Sequence, residues 1–156
     1  MAYRFRLMPL VAALLALSTA PLALAEKYGR EKAVLRTHTD PKLKWEPCPS
    51  YFPKGCQIAP LHGDMDEQDS DFYFKMPSSA TIVGHWHPTE ERIVGVAGTF
   101  HVTYAGQKTL VVEPGQFVYA PAELSHTGVC VTEPECVIYI HLRSPVESER
   151  TEVTAE

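Results

Sequence analysis

The stretch His85-Trp86-His87-Pro88-Thr89-Glu90-Glu91, running on to Gly98, decides how this chain reads. Two histidines stand two apart. On a strand, residues i and i+2 share a face and lie roughly 6.5–7 Å apart along the backbone, so both imidazoles can converge on one ion. Pro88 ends or turns the strand, which lets Glu91 re-enter beside them. Imidazole nitrogens with one carboxylate oxygen suit a divalent first-row metal. By the same alternation Trp86 packs outside and Glu90 points away from the ion.

Around this stretch, short strand-like runs recur at 72–76, 81–87, 92–97, 99–104, 109–112, 117–120, 127–131 and 136–142. They are punctuated by Pro77-Ser78-Ser79, Gly98, Ala105-Gly106, Glu113-Pro114-Gly115, Pro121 and Thr132-Glu133-Pro134-Glu135. Short strands at this pitch predict an all-β sandwich or barrel. No amphipathic helix of useful length is visible. Five prolines between residues 41 and 60 predict an irregular N-terminal arm over residues 26–57, with Gln57-Ile58-Ala59-Pro60-Leu61 a short edge strand. The acidic run 64–71 reads as a solvated turn, because no Glu closes it at the twelfth position of a calcium loop. The domain proper is expected over 58–147, followed by a loose polar tail at 148–156.

The chain begins with Arg4 and Arg6, then a mostly apolar run to Leu24, then Ala23-Leu24-Ala25. This is the pattern of a signal peptide spanning residues 1–25, cleaved after Ala25. Export to the periplasm or outside the cell follows, with no membrane attachment after cleavage. Without Arg4 and Arg6, 12 basic residues face 19 acidic ones, a net charge of -7 with His neutral. Such a balance with no basic cluster argues against nucleic acid as a partner.

All four cysteines, Cys48, Cys56, Cys130 and Cys136, lie beyond the leader. An even count in an exported chain favours disulfides. The most economical of the three pairings joins Cys48 to Cys56 and Cys130 to Cys136. A thiolate metal site is the alternative, and neither pair has zinc-knuckle spacing.

The spacing His85-x-His87-(x)3-Glu91-(x)6-Gly98 resembles the first cupin motif. Gly115, Pro121 and His126 stand at matching places of the second. The resemblance covers roughly residues 58–142 and implies a single cupin jelly-roll β-barrel with a site inside its mouth. It implies His85, His87, Glu91 and His126 as metal ligands, and His126 is the one that spacing alone does not supply. Three departures stand out: Ser79 and Glu123 replace motif glycines, and Cys130 replaces a motif asparagine.

A divalent transition metal (Fe, Mn, Zn, Cu or Ni) is the expected cofactor, and a small molecule the expected ligand or substrate. The resemblance also implies pairing into a homodimer. The leading reading is a metal-dependent enzyme of dioxygenase type; the second is a non-catalytic metal- or ligand-binding module. No general acid or base is singled out. Tyr119, Tyr139 and His141 are read as packing residues, with pocket lining as the alternative. His38, His62 and His101 are read as surface or loop.

Overall fold

The computed structural model describes residues 32–154, so the expected leader at 1–25 lies outside the described residues. Residues 32–35 are exposed and without regular structure; a compact unit begins at Arg36. Its regular elements are all strands: β1 (Glu46–Pro47), β2 (Gln57–His62), β3 (Ser70–Pro77), β4 (Thr81–Trp86), β5 (Glu91–Ala97), β6 (Phe100–Tyr104), β7 (Leu110–Val112), β8 (Phe117–Ala120), β9 (His126–Cys130), β10 (Glu135–Leu142) and β11 (Glu149–Arg150).

They form two antiparallel sheets. One runs β1-β2-β3-β10-β5-β8, the other β11-β4-β9-β6-β7. From β3 to β10 the chain crosses between sheets at every connection except β6 to β7, which is jelly-roll order. The all-β expectation holds. Among the described residues no ladder joins the two sheets, so the hydrogen bonding is that of a two-sheet sandwich and not of a closed barrel.

The period-two patterns bury one face of each strand. β3 sends Ser70, Phe72, Phe74 and Met76 inward, β6 sends Phe100, Val102 and Tyr104, and β10 sends Ile138, Ile140 and Leu142. Each large apolar side chain buried this way stabilises the fold by about 1.5–3 kcal/mol. Within the second sheet one small residue makes room for a ring: a Cβ on Gly128 of β9 would lie 2.3 Å from the Phe100 ring of neighbouring β6.

The cysteines pair as expected, Cys48 with Cys56 and Cys130 with Cys136. The second bridge joins the end of β9 to the start of β10 across the intervening turn. Such crosslinks typically contribute about 2–4 kcal/mol, chiefly by constraining the unfolded chain.

The C-terminal segment is a correction. A polar tail was expected to be loose, yet Glu149 pairs with Trp86 and Arg150 with His85, extending the second sheet by β11. Thr151 N–H donates to Gly84 O at 2.9 Å, continuing the contact. Backbone pairing to an otherwise open edge outweighs the composition here.

Both replaced motif glycines keep the glycine conformation. Ser79 has φ 62° and Glu123 φ 62°, in the left-handed region. Backbone bonds hold both turns: Ser79 N–H to Cys130 O at 2.9 Å, and Glu123 N–H to His87 O at 2.8 Å. The left-handed region costs a side-chain-bearing residue about 1–2 kcal/mol, and glycine's extra unfolded-state entropy offsets about 0.5–1 of that. Ser79→Gly and Glu123→Gly are therefore each expected to stabilise the protein, by on the order of 0.5–1 kcal/mol. Urea denaturation midpoints at constant slope measure the effect.

Candidate metal centre

Three strands, β4 and β9 of one sheet and β5 of the other, deliver the four side chains. His85 is the fifth residue of β4, and His87 follows the strand's end. Glu91 opens β5 and His126 opens β9. His85 and His126 are direct cross-strand partners in the β4–β9 ladder. Their rings stand 4.2 Å apart between centroids, with His87 at 5.0 Å from His85 and 5.5 Å from His126. One ligand nitrogen from each histidine lies within 4.8 Å of the other two, so the triad can hold a metal ion. All four side chains are buried, with 4–7% exposure.

The hydrogen bonds fix which nitrogen faces the centre. His85 Nδ1 lies 2.9 Å from Val83 O, His87 Nδ1 2.6 Å from Glu147 O, and His126 Nδ1 3.1 Å from Leu124 O. A carbonyl oxygen only accepts, so each Nδ1 carries the proton and donates it. Each Nε2 is left with its lone pair, the form in which imidazole binds metals. Glu91 Oε1 is 3.8 Å from His87 Nε2, and Glu91 Oε2 is 3.5 Å from His126 Nε2. Glu91 Oε2 is buried and has no hydrogen-bond partner within the protein. Three imidazole lone pairs, with a partnerless carboxylate oxygen beside two of the rings, are donors of the kind a divalent cation takes.

The titration behaviour has the same origin. Burial, reinforced by the neighbouring His126 and His87, lowers His85 to about 4. Burial likewise lowers His126 to about 4, against its bond to Leu124. Burial raises Glu91, opposed by His87 and His85. Desolvation thus keeps His85 and His126 neutral near pH 7, available as ligands.

The quartet opens on a cavity of about 40 Å³, room for only a few water-sized groups. Beyond the quartet its wall is apolar, including Phe72, Phe74, Ile93, Phe100 and Ile138. Tyr104 lies directly across the ladder from His126, rings 5.3 Å apart, and its buried hydroxyl has no partner within the protein. Burial, with Glu91 nearby, raises its pKa well above the ordinary phenol value.

The structure brings His85, His87 and His126 into one triad that can hold a metal ion, and sets Glu91 beside His87 and His126. Glu90 turns away to Arg92 at 3.3 Å and Arg143 at 3.5 Å, as expected. Tyr119 is exposed. Tyr139 and His141 alternate away from the cavity, and both donate to Asp71, whose other oxygen faces His62 at 3.6 Å. That polar cluster is not readable from sequence, because Asp71 and His141 meet only through the β3–β10 register. Also missed were Tyr104, which its phase with Phe100 and Val102 identifies as inward, and Phe52 and Glu147. The last two lie outside regular strands, where no periodicity marks them.

Residues 72–141 match the family described as "Cupin domain". No curated protein matches the chain. Among solved structures, one from the work on the DMSP lyases RdDddP and RnDddQII aligns with a TM-score of 0.61 at 17% identity, covering 72% of this chain and 64% of that one. The polyketide cyclase RemF from Streptomyces resistomycificus aligns at 0.63 and 17%, covering 78% and 88%. Oxalate decarboxylase from Bacillus subtilis, whose structure concerns its Mn(II) centres, aligns at 0.56 and 17%, covering 67% and 29%. The chain thus spans under two thirds of the lyase and under a third of the decarboxylase. At these identities the likeness is one of fold. With the quartet at the motif positions, the segment 72–141 belongs to the cupin superfamily.

Proposed function

We propose that this chain binds one divalent transition metal through His85, His87, Glu91 and His126, and acts there on a small organic molecule in an oxidising compartment. One observation carries the reading. All three imidazoles commit Nδ1–H to backbone carbonyls, leaving three Nε2 lone pairs and a partnerless Glu91 oxygen facing a buried centre. Two disulfides with no free cysteine among the described residues support the compartment, and export through the leader is part of the same reading.

When bound, such an ion supplies Lewis acidity and a template for ligands at its open positions. The chain's own part is to hold the three imidazoles in one tautomer, keep a carboxylate charge in the site and exclude water with an apolar wall. Metal-dependent chemistry of dioxygenase type is our leading reading, because it demands little acid–base help from that wall. Fold relatives include a lyase, a cyclase and a decarboxylase, so the fold supports an enzyme without choosing the reaction. Iron, manganese, zinc, copper and nickel all accept these ligands. The small cavity favours small carboxylic acids and diketones over catechols. A non-catalytic ligand-binding module is the second reading. It is favoured by the absence of any acid or base side chain among the cavity's lining residues beyond the quartet.

Elemental analysis of the natively produced protein is expected to give one divalent metal per chain. His87→Ala should lower metal affinity by more than the roughly 10- to 100-fold typical of losing an outer hydrogen-bond partner. Glu91→Gln should lower it while leaving the fold intact, as circular dichroism would check. Substrate-dependent oxygen uptake that disappears in His87→Ala marks the enzyme; stoichiometric metal with no turnover across the screen marks the module.

The metal-free protein has its own signature. Between pH 6.5 and about 4, His85 and His126 are protonated when unfolded but not when folded. The unfolded state then binds more protons, so stability falls as pH falls through this window. Each proton of difference contributes roughly 1.4 kcal/mol per pH unit. Glu91, raised in the fold, acts in the opposite direction above its ordinary value and offsets part of the loss. Urea midpoints of chelator-treated protein at pH 7 and pH 5 are expected to show a net decrease.

A further inference from the structure

We infer that Phe52 decides which ligands reach the cavity, admitting those of a few heavy atoms and excluding aromatic rings. The inference rests on the metal-site reading above and adds the selectivity of that site.

Most of the cavity wall comes from the strands, but Pro49 and Phe52 come from the loop before β2, and Val146 from the segment after β10. The loop is a closed unit. Cys48 and Cys56 bridge its ends, and the bonds Phe52 N–H to Pro49 O at 2.9 Å and Cys56 N–H to Pro53 O at 3.1 Å fold it tightly. Phe52 is half-buried, with one side toward solvent and the other in the cavity. Its ring stands edge-on to His85 at 5.9 Å and to Phe74 at 5.5 Å. Among the described residues, Phe52 is the one phenyl ring in ring contact with His85.

The next residue back fastens the loop to the other end of the chain. Tyr51 hydroxyl lies 3.0 Å from Ser148 Oγ, and the Arg150 guanidinium stands 5.2 Å from the Tyr51 ring centre. Arg150 is in turn the ladder partner of His85, and Glu147 O holds His87 Nδ1. One clasp therefore ties the loop carrying Phe52 to the segment that orients His87 and pairs with the backbone of His85. A ring held at this place leaves about 40 Å³ beside the quartet, too little for a second ring.

The test uses Co(II)-loaded full chain, with formate and benzoate as probes that share a carboxylate and differ by a ring. Binding is followed through the visible Co(II) spectrum. Wild type is expected to bind formate and to bind benzoate at least about tenfold more weakly than Phe52→Ala does, with formate affinity similar in both. Phe52→Leu, which keeps an apolar side chain on the core, should fall between them and serves where Phe52→Ala does not fold. Tyr51→Phe removes the bond to Ser148 and should speed benzoate entry in stopped flow. Equal benzoate affinity in wild type and the Phe52 variants overturns the inference while leaving the metal reading standing. Failure of wild type to take up stoichiometric Co(II) overturns the metal reading and the inference with it.

Discussion

The site depends on where three imidazole protons go. In water, either ring nitrogen can carry the proton. In this buried pocket each Nδ1 faces a carbonyl, and that choice leaves each Nε2 lone pair for the centre, with those of His87 and His126 beside Glu91. Such an arrangement is costly alone, because buried acceptors without donors lose their hydration and gain nothing in return. On the proposed function, a divalent cation would reverse the balance by giving these acceptors one partner. The feature that destabilises the metal-free site is thus the one that makes it a strong ligand set.

The carbonyl partners come from two sources, with different structural consequences. Val83 and Leu124 each lie two residues before the histidine they bind, so the orientation of His85 and His126 is set within their own strand entries. His87 depends on Glu147, sixty residues away. This long-range bond gives the C-terminal segment a structural task, and the pairing of β11 with β4 holds Glu147 in range. The jelly-roll frame brings β4, β5 and β9 together, but orienting His87 takes a residue beyond the family-matched segment 72–141.

The same division governs what was legible in the sequence. Strand phase is a local property, so the inward rows of β3, β6 and β10 and the shared face of His85 and His87 can be read from alternation. His126 was reachable only through motif resemblance, since no local pattern ties it to His85; in the fold they are ladder partners. Glu147, Phe52 and the Asp71–His141 contact were not legible. Their positions follow from pairing register and loop closure, which alternation leaves open. The tail misled for a related reason: polar composition reports solvent exposure of side chains, whereas β11 is held by its backbone. The two replaced glycines show composition yielding to context as well, because Ser79 and Glu123 adopt the left-handed backbone that their turns require.

On the proposed function, metal binding and selectivity would be built from separable parts of the chain. His85, Glu91 and His126 lie on strands and His87 just past the end of one, all inside residues 72–141. Phe52 and Val146 reach the same cavity from outside that segment, joined by the Tyr51–Ser148 contact. Strands constrain side chains tightly, as metal geometry demands. Loops tolerate change at little cost to the core. Substitutions within residues 49–55 can accordingly alter which molecule enters while the imidazole tautomers stay in place. Changes that displace the backbone at Glu147 would not share this independence, because its main-chain carbonyl orients His87 and the adjoining Val146 lines the cavity.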